Sequence, residues 1–319
     1  MSIFMAIFMV AFGLFLLCKG ADWLIEAASS LAQKIGVSPL IIGLTIVAFG
    51  TSLPELIVSV LAAISGNGEI AFGNVLGSNI ANVFLILGVA ASIKALTIKQ
   101  STINFEMPLA IVAAILMMLM AKDQVISFAN GLVFLLGFGV FFIYIILSSI
   151  NYAKKNDQLS IKPIKKHANI FLVLGLVALS FGGKLTVEGA SQIAVALGLT
   201  QELIGLTIVA VGTSLPELVT SIVGVMKGET DLVIGNIVGS NLFNTFWILG
   251  VTSMIAPIEI SGRLSFDLGL NIATFIIILV FTYINKTKFL INRWQGGLLF
   301  SGYIFYLVII VGRELSWLW

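Results

Sequence analysis

Charge, cysteine and histidine are scarce in this sequence. Of its 319 residues, 10% are Asp, Glu, Lys or Arg, where a soluble globular protein has about 25%. A chain that is also 59% apolar has too few polar groups to cover its surface in water, which excludes an ordinary soluble enzyme. The single cysteine excludes a disulfide framework, and the single histidine argues against a histidine-rich metal site. The net charge of +2 is too small to indicate a nucleic-acid partner.

The apolar residues are concentrated in ten runs, each close to the ~20 residues that a helix needs to cross a bilayer. The runs lie near residues 3–32, 38–65, 70–93, 104–121, 127–150, 168–197, 201–226, 231–255, 266–284 and 295–312. We predict an all-α polytopic membrane protein with ten transmembrane helices. The first run lacks a positively charged start and a small-residue cleavage site, so we interpret it as a retained membrane helix.

Basic residues are distributed unevenly among the connections between these runs. The polar segment 151–167 contains five lysines, and seven more basic residues lie in the connections that alternation places on the same side of the membrane. Three basic residues fall on the other side. The positive-inside rule therefore predicts that segment 151–167 is cytoplasmic and that both termini are extracytoplasmic.

The chain repeats itself at an offset of 162 residues. The segment GLTIVAFGTSLPELIVSV (43–60) matches GLTIVAVGTSLPELVTSI (205–222) at 14 of 18 positions. A second segment, GNVLGSNIANVFLILGV (73–89), matches GNIVGSNLFNTFWILGV (235–251) at 11 of 17 positions. The sequence is therefore an internal duplication.

Each copy of the duplication contains five predicted spans. Because five is odd, the second copy enters the membrane from the opposite side, which is the inverted-repeat plan of secondary transporters. We predict a first five-helix repeat at 1–150, a cytoplasmic basic loop at 151–167 and a second, inverted five-helix repeat at 168–319. We expect helices 2, 3, 7 and 8 to be broken around a central site near the membrane midplane.

The motif GTSLPE contains a proline that a membrane helix should avoid. Pro54 has no N–H, so the Gly50 carbonyl loses its helical partner, and Pro216 does the same to Gly212. Freed carbonyls are tolerated at membrane depth beside protein or a watery cavity, and they are good ligands for hard cations.

Polar side chains share helix faces next to these prolines. Steps of three and four residues place Ala48, Thr51 and Glu55 on one face, and the second copy repeats this face with Ala210, Thr213 and Glu217. In the companion motif GN-x-x-GSN, a spacing of four aligns Asn74, Ser78 and Asn82, and likewise Asn236, Ser240 and Asn244. Two carboxylates with hydroxyl, amide and carbonyl oxygens suit Ca²⁺, which takes six to eight oxygens at about 2.3–2.6 Å, or Na⁺.

A glutamate in an apolar run can also have a purely structural role. Glu55 and Glu217 each lie mid-segment beside a proline and match between the copies, which favours function. Structural and functional roles are evenly balanced for Ser52, Ser214, Asn79 and Asn241. Glu106 and Asp267 begin spans, so we expect them at the membrane interface. Asp22 and Lys184 occupy equivalent positions with opposite charge, and the sequence does not decide whether they pair.

The paired GTSLPE and GN-x-x-GSN motifs resemble the α-repeats of the calcium/cation antiporter superfamily, most closely the prokaryotic sodium/calcium exchangers. The resemblance covers nearly the whole chain. It implies that Glu55 and Glu217 are the central cation ligands, and that the first and sixth helices slide past a fixed core. It also implies a prokaryotic inner-membrane location. The further ligands implied are the side chains of Thr51, Ser52, Ser78, Asn82, Thr213, Ser214, Ser240 and Asn244 and the backbone carbonyls of Ala48 and Ala210.

Asn244 departs from the pattern of several relatives in this superfamily, including potassium-dependent ones, which have Asp at this position. An amide has one negative charge less, which weakens a potassium requirement. The resemblance therefore implies an electrogenic antiporter that exchanges Na⁺ for Ca²⁺ by alternating access without K⁺. The proton-coupled calcium branch is less similar, because it has Asn in place of the motif's Thr.

Two other functions use the same oxygens. A proton-coupled Ca²⁺ exchanger would replace Na⁺ by protons on the carboxylates, and a cation channel would conduct without a counter-ion. An intramembrane enzyme is disfavoured because the sequence contains no nucleophile–base pair. We expect no cofactor; the expected partners are Na⁺, Ca²⁺ and the lipid bilayer, and the sequence identifies no protein partner.

Overall fold

The computed structural model describes residues 2–155, 167–198, 204, 208, 210–260, 264–284 and 289–314, and these residues are nearly all helical. In chain order the helices are α1 (Ile3–Ile35), α2 (Pro39–Thr51), α3 (Leu53–Ile64), α4 (Gly68–Ile93), α5 (Thr102–Asp123), α6 (Phe128–Lys155), α7 (Ala168–Ala196), α8 (Leu215–Met226), α9 (Thr230–Ile255), α10 (Ser265–Ile284) and α11 (Arg293–Glu314). A short helical turn, Ala210–Gly212, precedes α8.

Nine of the predicted spans have a counterpart among the described residues. Eight are single helices long and apolar enough to cross a membrane, and the second span is the pair α2 and α3, bent by 44°. In the seventh predicted span, 201–226, seven residues before α8 (201–203, 205–207 and 209) lie outside the described residues. The all-α membrane fold is therefore confirmed, whereas the count of ten spans stays a prediction, as do the exact boundaries of the two repeats.

Local sequence explains where several helices begin and end. Ser2 caps α1 by accepting a hydrogen bond from the Met5 N–H at 3.3 Å, and Gly36 ends α1 with a φ of 69°. Ser38 accepts a hydrogen bond from the Ile41 N–H at 3.3 Å, and Pro39 occupies the first turn of α2, where a missing N–H costs nothing.

The prediction of breaks in four helices is correct for two of them. The second span bends at Ser52, and the seventh is interrupted at Thr213 and Ser214. The third and eighth spans, α4 and α9, are continuous, and each contains a π-helical segment instead, at Asn82–Leu87 and Phe243–Ile248. These two helices contain no proline, so every N–H can find a carbonyl and the irregularity is absorbed by a wider turn.

Glycines bring α1 and α7 into close contact. A Cβ atom on Gly20 would lie 2.8 Å from the Gly175 carbonyl oxygen, and a Cβ on Gly175 would lie 2.8 Å from that of Gly20. Gly13 and Gly182 approach each other in the same reciprocal way. These two helices, with residues of α2 and Leu232, form a hydrophobic cluster distinct from the main core. The helix pair is therefore a packing unit at the side of the main core.

The helices α4 and α9 are the most buried in the molecule. Within their most apolar windows, 78% of the α4 residues and 94% of the α9 residues are buried, against 17–39% for the other single-helix spans. Four two-residue strands join the connections outside the spans in antiparallel pairs. They are β1 (Leu96–Thr97) with β4 (Leu290–Ile291), and β2 (Val125–Ile126) with β3 (Ile258–Glu259). The duplicated motifs thus lie at the centre of the bundle.

Candidate functional site

The two helix breaks have nearly the same backbone geometry in the two copies. Ser52 adopts φ −83° and ψ 6°, and Ser214 adopts φ −86° and ψ 4°. The Ser52 N–H donates to the Ala48 carbonyl at 3.0 Å. Helices α3 and α8 begin immediately after these serines, with a proline in the first turn. The Ser214 N–H donates to the Val211 carbonyl instead, at 3.2 Å, so the two breaks share their backbone angles but differ in this hydrogen bond.

Each break places one glutamate in the first turn of the following helix. Glu55 is 0% exposed and Glu217 is 1% exposed. Neither carboxylate forms an ion pair with a Lys, Arg or His within the described part of the chain. A buried carboxylate without a paired positive charge is costly, so it requires hydrogen-bond donors, protons or cations.

Hydroxyl groups connect each carboxylate with the opposite copy. Ser52 Oγ donates to Glu217 Oε1 at 3.2 Å. Ser78 Oγ lies 3.5 Å from Glu55 Oε1, and Ser214 Oγ donates to Ser78 Oγ at 3.4 Å. The two glutamates therefore belong to one polar cluster that contains residues of both copies.

The threonines of the motif also reach across the repeat boundary. Thr51 Oγ1 lies 3.2 Å from Asn236 Oδ1 and 3.1 Å from the Val47 carbonyl oxygen. Thr213 Oγ1 lies 3.4 Å from Asn74 Oδ1, which is the same contact with the two copies exchanged. The two copies are thus joined by a symmetric pair of threonine–asparagine contacts.

Asn74 has two more hydrogen bonds, which hold α4 against α3. Its Nδ2 donates to the Glu55 carbonyl oxygen at 3.2 Å and to Ser59 Oγ at 3.0 Å. The sequence placed Asn74 and Asn236 on the polar stripes, but neither was predicted as a ligand. Their spacing of four from Ser78 and Ser240 was the available signal.

Several buried oxygens of the predicted ligands lack a hydrogen-bond partner within the described residues. The atoms are Glu55 Oε2, Glu217 Oε2, Asn82 Oδ1, Asn244 Oδ1 and Ser240 Oγ. Carboxylate, amide and hydroxyl oxygens are the ligands that Ca²⁺ and Na⁺ prefer. The described residues contain no group of three or more His, Cys, Asp or Glu side chains that could together hold a metal ion, so neutral oxygens would have to complete the shell. The donor set therefore fits hard cations.

The structure does not connect every predicted ligand to the two glutamates. Asn82, Asn244 and Ser240 are buried on α4 and α9, but no hydrogen bond joins them to the other predicted ligands among the described residues. Ala48 is buried, and its carbonyl accepts the Ser52 N–H; Ala210 lies in the helical turn before the second break.

The two asparagines whose roles were evenly balanced make packing contacts. Asn79 Nδ2 donates to Thr245 Oγ1 at 2.9 Å, and Asn241 Nδ2 donates to the Ile237 carbonyl at 3.0 Å. The first contact joins α4 to α9 directly. Asn79 therefore contributes to the packing of the two central helices, whereas the Asn241 bond lies within α9 itself.

The family model described as sodium/calcium exchanger protein matches residues 5–147 and 167–312. The chain belongs to this family. The exchanger is 41% identical over 309 residues to the putative antiporter CaxA of Alkalimonas amylolytica, an alignment that covers 93% of this chain and 96% of the relative. It is 33% identical over 342 residues to the sodium/calcium exchanger MaX1 of Methanosarcina acetivorans, with 93% and 96% covered.

A solved structure has the same fold. The sodium-calcium exchanger NCX_Mj, soaked with 100 mM Na⁺ and 10 mM Sr²⁺, superposes with a TM-score of 0.83 at 29% identity, and the match covers 96% of this chain and 99% of that chain. The resemblance drawn from the two motifs is therefore confirmed. The exchanger is a polytopic membrane transporter of the calcium/cation antiporter superfamily, prokaryotic type.

Proposed function

We propose that this chain exchanges Na⁺ for Ca²⁺ by alternating access, electrogenically and without K⁺. The observation that carries the proposal is the buried pair Glu55 and Glu217, one from each copy, in a single hydroxyl-rich cluster. The relatives named sodium/calcium exchanger support Na⁺ as the coupling ion.

The proposed ligands are the oxygens of both copies of the motifs. Glu55 and Glu217 supply the charge, and neutral oxygens complete the coordination shell. These neutral ligands are the side chains of Thr51, Ser52, Ser78, Asn82, Thr213, Ser214, Ser240 and Asn244 and the carbonyls of Ala48 and Ala210. The unpaired oxygens among them support this assignment, because each can accept a bond and has no partner in the part of the chain that the structure describes.

Charge balance explains how one site can couple two ions. One Ca²⁺ neutralises the two glutamates, and several Na⁺ ions would have to share the same oxygens, so the two loads exclude each other. A site with two bare carboxylates resists movement through the membrane, whereas a loaded site does not. Exchange of more than two Na⁺ per Ca²⁺ moves net charge and makes the cycle electrogenic. Asn244 adds no third carboxylate for K⁺ to neutralise.

The membrane arrangement is proposed from the distribution of basic residues. Segment 151–167 lies in the cytoplasm, both termini lie outside, and the protein resides in a prokaryotic inner membrane. The α1–α7 pair slides past the main core during the cycle. The separate hydrophobic cluster of α1 and α7 and their glycine contacts support this movement.

Proton-coupled Ca²⁺ exchange is the second candidate. It is favoured by one observation, that Glu55 Oε2 and Glu217 Oε2 have no hydrogen-bond donor among the described residues and could each accept a proton. In this mechanism protonation would take the place of Na⁺ binding.

The test is uptake of ⁴⁵Ca²⁺ into proteoliposomes loaded with Na⁺ and diluted into medium containing choline, K⁺ or Na⁺. We expect uptake only with an outward Na⁺ gradient and no change when K⁺ is added under a clamped potential. Uptake should be faster when the interior is held positive, because more than two Na⁺ leave for each Ca²⁺ that enters. Uptake that follows a pH gradient without Na⁺ would contradict Na⁺ coupling and favour the proton-coupled alternative.

A further inference from the structure

The connection between α8 and α9, residues 227–229, is tied to α1 by side chains. Lys227 Nζ forms ion pairs with Asp22 and, at 2.8 Å, with Glu26 Oε1. Ser29 Oγ donates to Glu229 Oε1 at 2.8 Å. Asp22, Glu26 and Ser29 are separated by four and three residues, so they share one face of α1. One face of this helix is therefore docked on the connection.

The ion pairs of Lys227 are partly exposed to solvent, and they lie next to another ion pair. The exposed fraction of the Lys227 side chain is 27%, and those of its partners are 37% and 39%. Partial burial lowers the pKa of Lys227, but hydrogen bonds and charges from Asp22 and Glu26 outweigh it and raise the pKa above its ordinary value. Next to the connection, Asp231 pairs with Lys99 at 2.7 Å, which fixes the start of α9 to the segment before α5.

The equivalent face of α7 forms no such bonds to a connection among the described residues. At the offset of 162, Asp22, Glu26 and Ser29 correspond to Lys184, Glu188 and Ser191 of α7. Lys184 pairs at 3.7 Å with Glu188 of its own helix, and Ser191 Oγ has no hydrogen-bond partner within the described ranges. The connection between α3 and α4 has Ser65 and Asn67 where the other has Lys227 and Glu229.

The two halves of an inverted repeat open opposite faces by equivalent movements. Side-chain bonds that hold α1 at one face alone therefore make the two states unequal in free energy. We propose that Lys227 and Glu229 are positioning residues that hold α1 against the α8–α9 connection and favour the state closed at that face. This inference rests on the alternating-access cycle of the proposed function. In the predicted topology the face is cytoplasmic, so the tie lowers the apparent Ca²⁺ affinity there and raises it on the opposite face.

The test is the apparent Km for Ca²⁺ on each face, measured in membrane vesicles of both orientations. For Lys227→Gln and, separately, Glu229→Gln, we expect the cytoplasmic Km to fall and the opposite Km to rise. Partly exposed ion pairs are individually weak, so each shift should be about two- to tenfold. The control Lys184→Gln, on the equivalent face of α7, should leave both Km values unchanged. Lys227→Arg keeps the positive charge, so its two Km values should equal those of the unchanged protein.

Changes of the same sign on both faces, or no change on either, would overturn the proposal, because a purely structural role does not move the two values in opposite directions. The coupling ion is established first on the unchanged protein, with whichever gradient drives flux. Absence of Na⁺-driven flux in that protein counts against the proposed function alone, whereas the ratio of variant to unchanged protein on each face decides the role of the tie. A variant that fails to insert is replaced by Ser29→Ala, which removes one bond without removing a charge.

Discussion

The two copies of the repeat agree at the centre of the helix bundle and differ near its two ends. At the centre, Ser52 and Ser214 have backbone angles within a few degrees of each other, and both glutamates are fully buried. At the faces, Lys227 ties α1 to a connection, whereas Lys184 contacts a residue of its own helix. Under the proposed alternating access, the site is reached from both sides, so we expect similar geometry in the two copies there. Contacts near the helix ends can differ and make the two sides unequal.

Removal of either central carboxylate should have the largest effect. Glu55→Gln and Glu217→Gln each halve the charge that balances Ca²⁺, so ⁴⁵Ca²⁺ uptake should fall by about 100-fold or more in both variants. A large loss in one variant and full activity in the other would break the equivalence of the two copies at the centre.

The matched control is Glu106→Gln. Glu106 is also a buried carboxylate with an unpaired Oε2, but its Oε1 accepts a hydrogen bond from the Tyr144 hydroxyl of α6 at 2.8 Å, and no hydrogen bond among the described residues joins it to the central cluster. A glutamine oxygen can accept the same bond. Uptake should therefore be retained, and loss equal to that of Glu55→Gln would show that any buried carboxylate is essential.

A third carboxylate at the centre should change which ions are required. Asn244→Asp adds a third negative charge to the proposed ligand set, so we expect K⁺ or protons to stimulate uptake that is insensitive to them in the unchanged protein. Uptake with and without K⁺ at clamped potential measures this effect. Asn82→Asp, at the equivalent position of the first copy, should respond in the same way. A K⁺ requirement already present in the unchanged protein would refute the role assigned to Asn244.

A smaller difference between the copies is expected at the two asparagines that join them. Asn74 has three hydrogen-bond contacts, whereas Asn236 has one and an Nδ2 without a partner in the described residues. Asn74→Ala should lower the free energy of unfolding by about 1–3 kcal/mol, and Asn236→Ala by less. Thermal unfolding in detergent compares them, and an equal or reversed order would show that these contacts do not differ in strength.

Much of the architecture could be predicted because it is encoded locally. Runs of apolar residues mark the spans, and the proline of each GTSLPE motif marks a helix break, since a missing N–H acts within one turn. The breaks predicted in α4 and α9 were wrong because no comparable local signal exists there. Those two helices contain π-helical segments instead, at Asn82–Leu87 and Phe243–Ile248.

The contacts between the copies could not be predicted because their partners are far apart in the sequence. Thr51 contacts a residue 185 positions away, and Lys227 reaches a residue 201 positions away. The sequence left a pairing between Asp22 and Lys184 open, and the structure gives each a different partner. Asp267, expected at the interface, is only 3% exposed because Arg313 of the neighbouring helix covers and pairs with it at 3.1 Å.

The central claim is that glutamates of both copies form one site where Ca²⁺ and Na⁺ exclude each other. Equilibrium binding of ⁴⁵Ca²⁺ to the purified protein, titrated with Na⁺, tests it most directly. We predict that one Ca²⁺ binds per chain and that Na⁺ displaces it with a Hill coefficient greater than one. This binding should be lost in both Glu55→Gln and Glu217→Gln. Ca²⁺ binding that is indifferent to Na⁺, or that survives in either variant, would contradict the claim.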